Sequence, residues 1–220
     1  MRINSANLVY YLLFLVVLIF GLYIRFEDVS FWKKNENLFF YKGEPLFSEY
    51  DSFFFARLTK DMEEGIYQSG KIDPFRFFPD NSSLAKLDDK EEFAPKYGLP
   101  GVFISHFFYY LAMLTGVSVA WLTWYLIPIF AITPAFPLFF YLKRLNLPFA
   151  GLVAGIVAIS APMYLGRTDL MRLDHDVFNL TLPFLIAFLF YLFFTAQTHR
   201  KKLVYLSLAS LSLIFYQLWY

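Results

Sequence analysis

The chain has 220 residues, 58% hydrophobic and 22% aromatic, with 19 basic and 18 acidic residues and a formal net charge of +1. That balance is far from a soluble domain's and reads as an all-α, polytopic membrane protein. The near-neutral charge gives no support for a nucleic-acid partner, whose footprint is a basic stripe or patch. With no cysteine, there is neither a disulfide framework nor a thiolate metal site.

A bilayer core takes roughly 20 mainly apolar residues in helical form, and "NLVYYLLFLVVLIFGLYI", Asn7 to Ile24, meets that requirement. Its length, the single preceding Arg2 and the lack of a small-residue cleavage motif make it an uncleaved anchor rather than a signal peptide. Further spans are expected at Val119–Leu142, Pro148–Leu165, Val177–Ala196 and Leu203–Tyr220, about five in all. No Asp, Glu, Lys or Arg lies in their interiors, which argues against a transporter or channel, because such a protein places ionisable residues along its pathway.

Between the first two spans lies a long mixed region, and within it "FSEYDSFFFARLTKDMEEG", Phe47 to Gly65, reads as an amphipathic helix. Phe54, Leu58 and Met62 recur at fourfold spacing with Phe55 beside them, while Arg57, Lys60, Asp61 and Glu64 fall around the other face. Asp51 is a helix start and Gly65 a stop. The next stretch carries Pro74, Pro79, Pro95 and Pro100 and is expected to be irregular. It includes Asn81-Ser82-Ser83, a glycosylation tripeptide of low predictive value.

Leu99 to Gly116 is apolar but ambiguous, and charge resolves it. If it lies along the interface or re-enters, then Arg2, Lys143, Arg144, Arg200, Lys201 and Lys202 share one side, as the positive-inside rule asks. All 18 acidic residues then take the other side. If it spanned, Lys143 and Arg144 would move outside and the Asp174 region inside. The interfacial arrangement gives a first outer loop of about residues 25–118 and a second of about 166–176. The chain ends on Trp219 and Tyr220 without a polar flank, and is expected to be truncated.

Charge concentrates in "GRTDLMRLDHDVFN", residues 166–179. Asp174 and Asp176 stand two residues apart, so their carboxylates can converge on one hard cation such as magnesium or manganese. The plainer alternative is that they cap and anchor the following span. Arg167 and Arg172 read as counterions or phosphate binders, with Arg172 an ion-pairing residue. His175 could be a ligand, since imidazole suits first-row metals, but between two acids it is expected to point away from them. With His106 and His199 far off in sequence, no histidine cluster or zinc spacing exists. Asp51 alone is an N-cap, but topology sets it on the same outer face as Asp174. A phosphate-binding glycine loop, a nucleophile elbow and a Ser/His/Asp set are all missing.

Taken together, one span, a long outer loop with the Asp of "EYDSFFFARLTKDMEEG", and "YLKRLNLPFAGLVAGIVAISAPMYLGRTDLMRLDHDVF" resemble the catalytic subunit of oligosaccharyltransferase, especially its single-subunit bacterial and archaeal forms. The likeness covers nearly the whole chain. Its most specific part is Arg167-Thr168 ahead of the Asp174-x-Asp176 pair. The resemblance implies transfer of a glycan from a lipid-pyrophosphate-linked oligosaccharide donor to asparagine in an Asn-x-Ser/Thr acceptor polypeptide, with a divalent cation, Mn or Mg. It implies that Asp51 binds the metal and the acceptor amide, that Asp174 is a metal ligand with Asp176 as a further ligand or support, and that Arg167 braces the loop. It further implies a prokaryotic inner or plasma membrane, with the site on the outer face and membrane lipids around it. Residues 1–220 would be the N-terminal part of the transmembrane domain, without the C-terminal soluble domain. The family's tryptophan-tryptophan-aspartate motif and the acid of a later outer loop have no counterpart here, so the chain is expected to be inactive alone. A protein O-mannosyltransferase-like enzyme would share the outer-loop acid but lack the Arg-Thr to Asp-x-Asp spacing.

Overall fold

In hydrocarbon every backbone N–H and C=O must be satisfied within the protein, so long apolar segments become helices. In the computed structural model, residues 5–71, 73 and 103–219 are described. Arg2, the proline-broken stretch with Asn81, and Leu99–Val102 lie outside the described residues. Helix α1 (Ser5–Arg25) is followed by short helices α2 (Val29–Lys34) and α3 (Glu36–Phe39) and by a two-stranded antiparallel hairpin, β1 (Phe40–Tyr41) and β2 (Glu44–Pro45). Lys42 and Gly43 both take positive φ, as a tight hairpin turn requires. Helix α4 (Tyr50–Glu63) and α5 (Phe103–Thr115) complete the first loop region.

The remaining helices are α6 (Val119–Ala131), α7 (Ala135–Arg144), α8 (Pro148–Ser160), α9 (Pro162–Arg167), α10 (Thr181–Thr195) and α11 (His199–Trp219). Among the described residues, four stretches are long and apolar enough to cross a membrane: Asn7–Lys34, Val119–Arg144, His175–Thr195 and His199–Trp219. The first turn of the third, His175–Phe178, is a 3₁₀ turn that belongs with the preceding loop. The expected span Pro148–Leu165 is not one helix. Pro162 pushes Ala161 into extended backbone, φ −56° and ψ 126°, which divides the crossing into α8 and α9. Helix α5 has 13 residues, or about 20 Å at 1.5 Å per residue, short of a roughly 30 Å hydrocarbon core.

Helices α7 and α8 form the closest pair. A Cβ on Gly151 would meet the Cα and O of Phe139 at 3.1 Å, and one on Gly155 would meet the Ala135 Cβ at 3.3 Å. These small residues let the two backbones approach. Helix α1 packs across the pair, with Phe14 stacked on Phe139 at 4.3 Å. Its other face leaves Leu8, Leu12, Val16 and Ile19 exposed, as does the Leu203–Ile214 side of α11. Those are the lipid-facing surfaces of a membrane helix set.

The chain passes between two ends of this helix set. At one end Tyr11 of α1 meets Lys143 of α7. At the other, Arg25 lies over the Tyr164 ring of α9, 5.6 Å from its centroid. Tyr11 and Arg25 are about 21 Å apart along α1 at 1.5 Å per residue. The site lies at the Arg25 end.

Candidate metal centre

The N-cap of helix α4 is Glu49, two residues before the expected Asp51, which falls instead in the first turn. There the Asp51 carboxylate is exposed and faces the positive end of the helix dipole. Glu49 makes no capping bond and pairs instead with Arg172. That pair joins the two loops, and the Ser48 amide reinforces it by donating to the Met171 carbonyl at 3.2 Å. Met171 takes a positive φ of 62° while fully buried, a strained backbone held by its packing against Trp32, Trp124 and Leu170. Arg172 Nη1 also donates to the Gly166 carbonyl at 2.6 Å, closing the loop on itself. Ion pairing is thus what Arg172 does.

The face of α4 that packs inward is not fully apolar. Phe55 and Leu58 are buried as expected, but so is Asp61, assigned by periodicity to the outer face. Arg57 accounts for this: its Nη1 reaches Asp61 at 2.8 Å and Asp73 at 2.9 Å, and its Nη2 reaches Asp73 at 2.6 Å. Against α5, Thr59 and Ser105 hydroxyls both donate to the Phe55 carbonyl at 3.0 Å. These bonds fix the helix that carries Asp51.

Asp174, His175 and Asp176 each offer one ligand atom, all within 4.8 Å of one another. Asp174 is 1% exposed, and neither of its carboxylate oxygens is met in full hydrogen-bond geometry, Arg172 Nε standing 3.9 Å from Oδ2. A buried carboxylate left so is costly unless a positive charge meets it. His175 does not point away from its neighbours. Its Nδ1 stands 3.0 Å from Asp174 Oδ1, and its Nε2 3.8 Å from Asp176 Oδ1. Burial pushes the Asp174 carboxyl up, yet the His175 imidazole and the backbone N–H groups of Asp176 and His175 outweigh it and hold the group below its ordinary value. The same contact with Asp174 pushes the His175 imidazole up against the opposing effect of burial, and the charges of Asp174, Asp176 and Asp51 add to it. Asp51 thus acts on the cluster electrostatically while lying outside the convergent set.

Arg167 Nη1 is 3.3 Å from Asp176 Oδ2, and the Asn179 amide donates to Asp176 Oδ1. Tyr164 donates to the Val177 carbonyl at 2.7 Å and Thr168 to the Tyr164 carbonyl at 2.8 Å, so α9 is laced to the 3₁₀ turn. The end of α11 returns to the site, where the Trp219 indole N–H donates to the His175 carbonyl at 2.9 Å. Glu49, Asn179 and Trp219 were not read from sequence as parts of this assembly, and His175 was weighed as a ligand but expected to turn away. Only His175 carried a signal, its place inside the Asp-x-Asp.

The donor set fits a divalent cation: two carboxylates and an imidazole, with one carboxylate buried and met only by His175 at 3.0 Å and by Arg172 at 3.9 Å. Residues 14–220 match the family model described as oligosaccharyl transferase STT3, N-terminal. The chain belongs to this family. No curated relative matches it. Membership in the STT3 family assigns the chain to the oligosaccharyltransferase-type glycosyltransferases and to the integral membrane proteins, displacing the transporter and O-mannosyltransferase readings.

Proposed function

We propose that this STT3 chain forms the metal-holding half of a site that transfers a glycan from a lipid-pyrophosphate-linked donor to the asparagine of an Asn-x-Ser/Thr acceptor. The observation that carries the reading is the convergence of Asp174, His175 and Asp176, with the Asp174 carboxylate buried, beside the loop-held Asp51. Residues 1–220 are the N-terminal part of the transmembrane domain, and the site faces the outer side of a prokaryotic membrane.

Asp174 and Asp176 would hold the cation, manganese or magnesium, with Asp51 completing the set from the other loop. When bound, such an ion neutralises charge that develops on the leaving pyrophosphate. The chain's own residues meet the other difficulty, the acceptor amide. Its nitrogen lone pair is delocalised, as the roughly 18–20 kcal/mol barrier to amide rotation reflects. Asp51, exposed on a rigid helix, accepts the amide hydrogens and so localises that lone pair. Arg167, paired with Asp176, keeps that carboxylate in place. The Glu49–Arg172 pair keeps the two loops in register. A membrane-edge position suits a donor whose head must reach carboxylates while its tail stays in hydrocarbon.

The test is glycopeptide formation from a lipid-pyrophosphate-linked oligosaccharide in the full gene product. Asp51→Ala and Asp174→Ala are each expected to abolish transfer while helical content and expression stay as in wild type. Wild-type turnover in either variant would overturn its assignment.

A further inference from the structure

The far end of the helix set holds a second concave site, unrelated to the metal cluster. A cavity of about 430 Å³ opens between α1, α7, α10 and α11. Its polar end is made by Lys143, Arg144, Tyr11 and Tyr205, and its walls by Phe140, Phe188 and Leu192. Beside it lies a recess of about 330 Å³ that shares Tyr205 and adds Arg200 and Lys201.

Among the described residues these charges have no counterion. Lys143 Nζ donates to the Tyr11 hydroxyl at 2.6 Å and lies 3.8 Å from that ring's centroid, which orients the ammonium without neutralising it. Arg144, Arg200 and Lys201 form no ion pair among the described residues. Sequence explains why: there is no Asp or Glu before Glu27, none in residues 93–168 and none in 177–220, so none of the four lining helices carries a carboxylate. The positive groups crowd an apolar-walled cavity whose surroundings, Leu12, Phe140 and Leu203 among them, are lipid-facing.

We propose that this cavity binds an anionic phospholipid, its phosphodiester on Lys143 and Arg144 with the tyrosine hydroxyls of Tyr11 and Tyr205, and an acyl chain along Phe140, Phe188 and Leu192. Basic pockets between membrane helices on the side rich in Lys and Arg suit such headgroups. A soluble phosphate would gain the charges but not the apolar walls. A zwitterionic lipid would gain the walls but bring its own cation. The site is about 21 Å along α1 from the metal cluster's end, so it stands or falls independently of the glycan-transfer reading.

The experiment uses the purified chain in detergent, with dioleoylphosphatidylglycerol, dioleoylphosphatidylcholine or glycerol 3-phosphate added. Retained lipid is read by native mass spectrometry and stability by thermal unfolding. Phosphatidylglycerol is expected to be retained at least tenfold over phosphatidylcholine and to raise the melting temperature, while glycerol 3-phosphate does neither. The double variant Lys143→Gln/Arg144→Gln is expected to lose the preference. Lys33→Gln/Lys34→Gln, which removes the same charge from exposed positions of α2, is expected to keep it. Equal retention of both lipids, equal protection by glycerol 3-phosphate, or an equal loss in the α2 variant would overturn the proposal. Should the α7 variant fail to fold, photo-crosslinking of the wild-type chain with a photoactivatable phosphatidylglycerol decides: labels within residues 140–144 and 188–205 support the site, and labels elsewhere overturn it.

Discussion

Asp174 carries a negative charge in a place with almost no water, and His175 is the group nearest to compensate it. Without metal the two form a pair whose pH behaviour follows from the shifts. His175 is raised above the ordinary imidazole value of 6.5, so the stability it contributes is fully present below that value and is lost as pH rises through the higher folded value. Asp174 is lowered, so its contribution is present above the ordinary carboxylate value and is lost as pH falls through the lower folded one. A cation must displace the imidazolium proton, because both neutralise the same carboxylates. Manganese affinity, followed by electron paramagnetic resonance of the free ion, is therefore expected to rise as pH increases through and beyond 6.5. In His175→Asn that rise should flatten. Asp174→Asn should weaken binding at every pH, by more than the roughly 10- to 100-fold typical of losing an outer-shell partner. An unchanged affinity in Asp174→Asn would remove this residue from the ligand set. From spacing alone, Asp174 and Asp176 read as well as a helix cap as they do as a cation site, and only the resemblance to the family favours the second. The orientation of His175 was not legible in the sequence, because the 3₁₀ turn that sets it depends on Tyr164 and Trp219 holding the carbonyls of Val177 and His175.

Elements show the same division between local pattern and distant partner. The fourfold spacing of Phe54, Leu58 and Met62 marks α4 correctly, since helical periodicity is local information. The burial of Asp61 escapes that logic, because it depends on Arg57 also gripping Asp73 beyond the end of the helix. Hydropathy likewise reads Pro148–Leu165 as one span and misses the break at Pro162, and the α7–α8 contact becomes visible only when Gly151 is seen against the Phe139 backbone. That contact is testable. A side chain at Gly151 would press on backbone at 3.1 Å, which cannot rotate away as a side-chain tip can. Gly151→Val is expected to destabilise the chain by about 1–3 kcal/mol through overpacking, read as a lowered melting temperature in detergent. Gly166→Ala, where nothing lies within 4 Å, is the matched control and should melt as wild type does.

At the scale of the whole molecule, charge asymmetry and contact geometry give the same arrangement by independent routes. The positive-inside rule uses only which segments carry Lys and Arg. The contacts use only which side chains touch: Glu49 to Arg172 and Ser48 to Met171 bring both acidic loops to one end, while Tyr11 and Lys143 meet at the other. Had α5 crossed the bilayer, α4 and the loop at Arg172 would have been separated by the membrane, and the Glu49–Arg172 pair could not form. The absence of cysteine makes this directly measurable, since any introduced thiol is the sole one. Tyr50→Cys, at a site 92% exposed beside Asp51, and Gly166→Cys, in the second loop, are expected to react with a membrane-impermeant maleimide in intact cells. Gln197→Cys, exposed in the turn between α10 and α11, is expected to react only after permeabilisation. Labelling of Tyr50→Cys and Gly166→Cys from opposite sides would refute the shared face, and with it any site that joins Asp51 to Asp174. Labelling of all three from outside would refute the passage of α10 across the membrane.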